Sequence, residues 1–368
     1  MRPSIICTVT TDLSHDQRMQ RIAHTLATNG YAVTLVGRQL PNSSPLKPTP
    51  YRTVRLRCGW NRGKLFYLEY NIRLFFFLRK QSFTILNSVD ADSLLAGFLA
   101  TRFGRKKWVF DAHEWFSEVP ELARRPFTKK IWQVLENQLV PRVDVVYTVS
   151  ATLAEKMTQQ FGRSFAVIRN VARRQPLLPK AKKDLKKPII LYQGALNAGR
   201  GLEALLVALK QLPKATLWLA GEGDLSTDLR RQIKQLGLTE RVRFFGYVAP
   251  DDLRELTQKA TIGYNLLHPG SESYYYSLAN KTFDYIQAEI PALHPPFPEY
   301  HRLLNEFPIG LTVPGLMPEE IATSINEVLN QPDRYQRMVD ACRRAKADLC
   351  WENEAIHLLN IYHACCPS

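Results

Sequence analysis

Tyr192-Gln193-Gly194-Ala195-Leu196-Asn197-Ala198-Gly199-Arg200-Gly201 is the stretch on which the reading of this chain turns. An apolar run, Pro188 to Tyr192, leads into it, and Leu202, Leu205, Leu206 and Leu209 follow at helical spacing. A buried strand therefore breaks into a glycine loop that carries one guanidinium and then opens a helix. Free backbone N–H groups, a helix N-terminus and a fixed positive charge together suit a diphosphate. Two later segments complete the pattern. The turn Gly221-Glu222-Gly223-Asp224 ends another apolar run, at the strand's carboxyl edge where doubly wound sheets bind ligands. Ser277-Leu278-Ala279-Asn280-Lys281-Thr282-Phe283-Asp284-Tyr285 opens a second helix, with Asp284 one turn in and placed to accept hydrogen bonds from hydroxyls. Phosphate at one loop and a diol at another is what a nucleotide-sugar requires.

Outward from this stretch, strand and helix patterns alternate in both directions. Ile5–Val9, Asp16–Asn29 and Tyr31–Val36 read as a βαβ unit, and the alternation continues through 83–87, 91–102, 107–110 and 143–148 to a helix from Ala151. Residues 173–187 break the pattern with Pro176, Pro179 and seven basic residues, and read as a linker. The cycle restarts with strands at 188–192, 215–220, 241–245, 260–264 and 291–294, separated by helices at 201–211, 226–236, 251–259 and 280–289. The expectation is an α/β protein of two Rossmann-like, doubly wound parallel-sheet domains. A chain of 368 residues is the right length for two such cores. The boundaries expected are 1–172, the linker 173–187, 188–349, and a final helical segment 350–368.

Charge is unevenly spread. Residues 1–187 hold 32 Lys and Arg against 13 Asp and Glu, whereas residues 188–368 hold 17 against 21, and the whole chain is +15. A +19 half joined to a −4 half implies a polyanionic partner for the first only: an anionic membrane surface, a pyrophosphate-linked lipid acceptor or nucleic acid, with a merely solvated basic face as the bland alternative. Leu65 to Phe83 adds an aromatic and basic helix (Phe66, Tyr67, Tyr70, Phe75, Phe76 and Phe77 with Lys64, Arg73, Arg79 and Lys80). It reads either as an amphipathic helix for a membrane interface or as a domain helix with a generous core face. No run approaches the roughly 20 apolar residues of a membrane span. The six cysteines show no metal-ligand spacing and read as reduced thiols of a cytoplasmic protein.

The order and spacing of these segments resemble the retaining glycosyltransferases of the GT4 type, built on the GT-B fold of two Rossmann-like domains facing across a cleft. The first half carries the resemblance too, in Asp12-Leu13-Ser14-His15-Asp16-Gln17-Arg18-Met19, Asp111-Ala112-His113-Glu114-Trp115, Val149-Ser150 and Ile168-Arg169-Asn170. It implies a sugar transfer from a nucleoside-diphosphate sugar to an acceptor hydroxyl, with retention, in cell-surface polysaccharide or glycolipid synthesis. It also implies an N-terminal acceptor-side domain, a C-terminal donor domain and a last helix that crosses back to the first domain. Arg200 would stabilise the departing diphosphate, where charge develops. Many relatives have a second cation just after the first glycine. Ala195 stands there in this chain, and Lys281 is placed to supply the charge unless it is an ordinary surface lysine. Gly194, Asn197, Gly199 and Gly201 line the phosphate loop, and Glu222 the next turn. Phe245, Gly246 and Tyr247 would meet the base, unless they are an ordinary strand and turn. The N–H groups of Ser277, Leu278, Ala279 and Asn280 would face sugar or phosphate, and Asp284 the ribose diol. Tyr276 occupies the place, eight residues before Asp284, where the family has a sugar-binding Glu, and Glu272 either substitutes for that Glu from the loop or is a solvated loop acid.

On the acceptor side the resemblance points to Asp16, Arg18, Asp90 and Glu114, and to His113 as a contact of the donor sugar. Asp90-Ala91-Asp92 resembles a metal motif of another glycosyltransferase fold but lies between a strand and a helix, where Asp92 is expected to be an N-cap. With Arg200 neutralising the diphosphate, no metal or other cofactor is expected. The expected partners are the nucleotide-sugar, an anionic or lipid-linked acceptor and an anionic inner membrane surface, not nucleic acid, since no module of that kind is present. A glycosyltransferase-like binding subunit of low activity is the competing reading, prompted by Ala195 and Tyr276.

Overall fold

A computed structural model describes residues 2–14, 16–102, 104–176 and 183–365. His15, residues 177–182 of the expected linker and Cys366 lie outside the described residues. The chain divides into two compact units, one of Met1–Asn170, Ser271–Ser273 and Glu354–Ser368, the other of Val171–Gly270 and Tyr274–Asn353.

The first unit is built on seven strands: Ser4–Thr8 (β1), Ala32–Gln39 (β2), Arg52–Arg57 (β3), Ile85–Val89 (β4), Lys107–Ala112 (β5), Val145–Thr148 (β6) and Ala166–Val167 (β7). All pair in parallel, in the order β3-β2-β1-β4-β5-β6-β7. Ile5 sits between Val33 and Ile85 in the ladder, and the central strands are buried on both faces because helices cover both. Helix Gln17–Thr28 buries Met19, Ile22, Ala23 and Leu26, and starts where the Asp16 carboxylate accepts the Met19 N–H at 3.0 Å. The β3 strand was not anticipated. Its three arginines mask a short apolar alternation, and charge of that kind suits an edge strand.

One helix end departs from expectation. Asp92 is no N-cap: it lies inside the turn Ala91–Ser93, buried, with its carboxylate accepting the Thr10 hydroxyl, and the helix Leu94–Thr101 that follows has no side-chain cap. The last stretch of helix Trp351–Cys365 belongs to this unit. There the Tyr362 and Tyr147 hydroxyls are 3.4 Å apart, and the buried Glu354 pairs with Arg169 at 3.2 Å.

The second unit has six strands: Ile189–Gln193 (β8), Thr216–Ala220 (β9), Val242–Gly246 (β10), Ile262–Tyr264 (β11), Ala292–His294 (β12) and Gly310–Thr312 (β13). They too pair in parallel, in the order β10-β9-β8-β11-β12-β13. The chain winds outward from β8 to β10 and then returns to lay β11 beside β8, so the direction of winding reverses between those two strands. Helix Leu202–Lys210 buries Leu202, Leu205, Leu206 and Leu209 against Ile190, Leu217, Leu219 and Ile262. Burying each leucine contributes about 1.5–3 kcal/mol, which pins the helix start, and with it the glycine loop, to the sheet edge. Helices Pro298–Glu306, Pro318–Leu329 and Pro332–Asp348 complete the unit and were not anticipated.

Candidate functional site

In the second unit the loops after β8 and β9 are locked together. The Gly194 N–H donates to the Ala220 carbonyl at 2.9 Å, the Leu196 N–H to the Glu222 carbonyl at 3.2 Å, and the Leu225 N–H to the Leu196 carbonyl at 2.9 Å. Glycine is required at 221, where φ is +144° and a Cβ would lie 2.0 Å from the Gly194 carbonyl oxygen. Glycine is also favoured at 201, where φ is +64° and a Cβ would lie 2.7 Å from the Tyr264 hydroxyl, which donates to the Gly201 carbonyl at 2.8 Å. The Gly199 carbonyl accepts the His268 N–H at 2.8 Å. Asn197 braces this pair of loops, its Oδ1 accepting the Asp224 N–H at 3.2 Å.

Two cations stand at this edge. Arg200 donates through Nη2 to the Tyr274 hydroxyl at 3.0 Å, and its Nε is buried without a partner. Lys281 is not a surface lysine. It is 9% exposed, with Nζ 3.8 Å from the centre of the Tyr192 ring and 3.7 Å from where a Gly194 Cβ would stand. Burial first, and the charge of Arg200 second, push its ammonium well below the usual lysine value, with Asp284 opposing them. Among the described residues neither cation has a carboxylate within ion-pair distance.

Asp284, one turn into helix Asn280–Gln287, accepts from Gln193 Nε2 at 2.8 Å. That carboxylate can only accept, so it fixes the sense of the Gln193 amide, with Nε2 toward Asp284 and Oε1 2.8 Å from the Thr257 hydroxyl. The sequence reading missed Gln193 as a site residue. Its signal was there, a polar residue closing an apolar strand directly before a glycine.

Amides at the helix start are fewer than expected. The Ala279 N–H donates to the Tyr300 hydroxyl at 3.0 Å and the Ser277 N–H to the Tyr274 carbonyl at 3.3 Å, so neither points outward. The N–H groups of Asn280 and Lys281, first in the helix, have no intrahelical acceptor, and Leu278 precedes them. Tyr276 is half-buried, edge-on to Tyr275 at 5.0 Å, and Glu272 is exposed. At the end of β10, Gly246 bridges to Gly221, and Phe245 meets Trp218 edge-on at 5.2 Å while Arg243 covers it at 4.6 Å. Tyr247 beyond it is exposed. Glu222 pairs with Arg230 at 3.0 Å, but both are half exposed, so the pair contributes little.

The first unit concentrates charge at the carboxyl ends of β4 and β5. His113 Nε2 is 3.1 Å from Asp111 Oδ2, its Nδ1 is 3.7 Å from Asp90 Oδ2, and its backbone N–H donates to Asp90 Oδ1 at 2.8 Å. Arg18 closes the chain, donating to Asp111 at 2.9 Å and to the Ile168 carbonyl at 3.0 Å. Arg18 is 4% exposed and Asp111 fully buried, so Arg18 does not reach an acceptor but holds the carboxylate that holds His113. Burial works against the Asp111 carboxylate, yet Arg18 and then His113 hold it at about 2. Burial likewise works against the imidazolium, but Asp111 and Asp90 outweigh it and raise His113 to about 9. His113 is therefore protonated at neutral pH, a donor and not a proton acceptor. Burial pushes Asp90 up, and Glu114 beside it is raised by burial and by Glu121. Asp16 is occupied as the helix cap, taking the Thr11 hydroxyl at 2.8 Å as well.

Known proteins match at both levels. The family model described as Glycosyltransferase Family 4 matches residues 17–172, and the one described as Glycosyl transferases group 1 matches residues 174–345. The chain is 30% identical over 110 residues to the lipopolysaccharide core biosynthesis glycosyltransferase LpsD of Rhizobium meliloti, a stretch covering 28% of this chain and 32% of that one. It is 28% identical over 246 residues to the glycogen synthase of Mycobacterium tuberculosis, covering 62% and 56%. The matched stretches thus span well under two thirds of these relatives' lengths. Among solved structures, sucrose-phosphate synthase from Thermosynechococcus elongatus superposes with a TM-score of 0.82 at 18% identity over 99% of both chains. Anabaena HepE in complex with UDP-glucose superposes with a TM-score of 0.75 at 15% identity over 98% and 99%. With both halves matched in order and each half a parallel-sheet unit of the kind described, the chain belongs to the GT4-type, group 1 glycosyltransferase family and has its GT-B fold.

Proposed function

We propose that this chain transfers a sugar from a nucleoside-diphosphate sugar to an acceptor hydroxyl, with retention at the anomeric carbon, in the synthesis of a polysaccharide or a lipid-linked glycan. One observation carries the reading: Arg200 and Lys281 stand at the reversal point of the second sheet, unpaired with any carboxylate among the described residues. Ligands of doubly wound sheets bind at that point, and two cations left without counter-charge fit the dianionic leaving group. Asp284, aimed by Gln193, would take the ribose diol. Donor chemistry of this kind is supported by the HepE complex with UDP-glucose. In this reading the acceptor oxygen attacks the anomeric carbon on the face from which the diphosphate departs. The bond from that carbon to the β-phosphate oxygen breaks, and the acceptor hydroxyl's proton passes to the departing phosphate oxygen. Arg200 and Lys281 stabilise the departing charge, and His113, as a cation, donates to a sugar hydroxyl.

The test is a panel of nucleoside diphosphates read by thermal shift, since a ligand bound only by the folded state raises its stability by mass action. One diphosphate should stabilise the protein and its sugar conjugate should be turned over. The product's anomeric configuration, read by NMR, should match the donor's. Stabilisation without turnover would instead favour a glycosyltransferase-like binding subunit. Because the two cations take the role a metal would fill, activity should survive EDTA; loss with chelator and recovery with Mn²⁺ would overturn that part. The acidic balance of the second half and the absence of a nucleic-acid module leave no support for a nucleic-acid partner.

A further inference from the structure

Fourteen large hydrophobic side chains are exposed among the described residues, and ten of them fall between Trp60 and Val134. They form rows. Leu65, Leu68, Ile72 and Phe76 recur every three or four residues on helix Gly63–Arg79, Leu95 and Leu99 on helix Leu94–Thr101, and Phe127, Ile131 and Val134 on helix Pro126–Leu139. The same helices bury separate rows inward, among them Phe66, Tyr70, Leu74 and Leu78 of the first and Trp132 and Leu139 of the last. Of the two readings its sequence offered for helix Gly63–Arg79, the buried row supports the domain helix. It is a domain helix with a full core face and a second apolar face turned to solvent.

The three rows make one surface. Each helix is the crossover between parallel strands (β3 to β4, β4 to β5, β5 to β6), and right-handed crossovers running in one direction place all three on one face of the sheet. Contacts join them: the Lys64 ammonium lies 4.7 Å from the centre of the Phe127 ring, and Tyr67 meets Trp132 edge-on at 5.1 Å. Asn71 donates to the Asp92 carbonyl at 2.8 Å and accepts the Ala96 N–H at 3.0 Å. A contiguous apolar face rarely stays uncovered on a monomeric soluble protein. Around it Arg62, Lys64, Arg73, Arg79, Lys80, Arg102 and Lys130 are exposed, while the three helices contain only Glu69 and the buried Glu136 as acids.

We propose that this three-helix face docks on an anionic lipid bilayer, the apolar rows entering the interface and the surrounding cations meeting the lipid head groups. Charge complementarity selects this occupant. A second copy meeting the face about a two-fold axis would set the same cations against one another, whereas an acidic bilayer attracts basic residues near its surface and accepts the apolar rows. Trp60, exposed just before the first helix, is of the type enriched at membrane interfaces. The inference extends the acceptor side of the proposed transferase, but its test needs no turnover.

The experiment is flotation of the full chain with vesicles of phosphatidylcholine alone and of phosphatidylcholine with phosphatidylglycerol, with nucleoside diphosphate thermal shift as the second readout. The wild type should float with the acidic vesicles, less so as salt rises, and scarcely with the neutral ones. Leu68→Ser with Ile72→Ser and Phe76→Ser should weaken that binding on the order of tenfold or more by removing inserted apolar surface. Phe127→Ser with Ile131→Ser, on another helix, should act in the same direction. Both variants change exposed positions, so the melting temperature and the shift with nucleoside diphosphate should stay at wild-type values. No binding to acidic vesicles, equal binding to neutral ones, or wild-type binding by both variants would overturn the proposal. A dimer in light scattering that the first variant converts to a monomer would also overturn it, by making a second copy the occupant. Failure of vesicle binding with an intact diphosphate shift would remove the membrane surface and leave the transferase reading standing.

Discussion

The charged sites of the two units are built on opposite plans. In the first unit Arg18, Asp111, His113 and Asp90 form a closed chain in which each cation has a carboxylate within 3.7 Å. In the second, Arg200 rests on a tyrosine hydroxyl and Lys281 over a tyrosine ring, with no carboxylate in ion-pair range among the described residues. A closed network fixes side chains before any ligand arrives, so its members contribute position and a defined protonation state. An open pair of cations keeps its charge uncompensated, and burial raises the cost of leaving it so. The difference teaches how to sort charged residues in such a fold: paired ones orient their neighbours, and unpaired ones are the candidates for holding an anion.

That contrast can be broken first at Asp111. Asp111→Asn would leave Arg18 buried without its counter-charge, a loss of about 3–5 kcal/mol of stability by analogy with other broken buried pairs. Chemical denaturation would show it, and a near-neutral effect would mean that the chain of charges does not hold the first unit together. At the open site, Arg200→Ala should cost little stability but lower turnover on the order of 10² to 10³-fold, as for loss of an oriented oxyanion donor. Unchanged turnover with a measurable stability loss would turn Arg200 into a structural residue.

His113 sharpens the contrast through pH. Its folded value is raised to about 9 from an ordinary 6.5, so the stability it contributes is fully present below pH 6.5 and is lost as pH rises through about 9. His113→Gln should flatten that decline in the denaturation free energy; a decline of the same size in the variant would assign it to another group. Lys281 gives the smallest effect. Its ammonium is depressed in the free protein, and a bound diphosphate favours the charged form, so binding should take up a fraction of a proton. Calorimetry in buffers of different ionisation enthalpy measures this, and proton release on binding would contradict the placement of Lys281.

Much of the architecture was legible because buried parallel strands are short continuous apolar runs, and their helices carry leucine at helical spacing. Ile189–Gln193 and Leu202–Lys210 are examples. Reading failed where that signal is diluted. Arg52–Arg57 hides three apolar or β-branched residues among arginines, and Pro332–Asp348 is so charged that its buried Tyr335, Met338 and Ala341 do not stand out. Asp92 failed for another reason. Its spacing fits a cap, but only the fold brings Thr10 from β1's far end to the carboxylate.

By itself the sequence determined the two parallel-sheet units, the glycine loop after the first strand of the second unit and the identities of Arg200, Asp284 and His113 as its notable polar residues. These are local matters: a residue's spacing and its neighbours in the chain decide them. Only the tertiary structure decided which charges are paired. It buried Lys281 beside Tyr192, took the Ala279 amide for Tyr300, turned Gln193 toward Asp284, and closed Arg18 and His113 on Asp111. Each of these joins residues distant in the chain or depends on the burial of the site as a whole. The free energy of a charge is set by the solvent removed from it and the partners brought to it, and neither is written in the order of the residues.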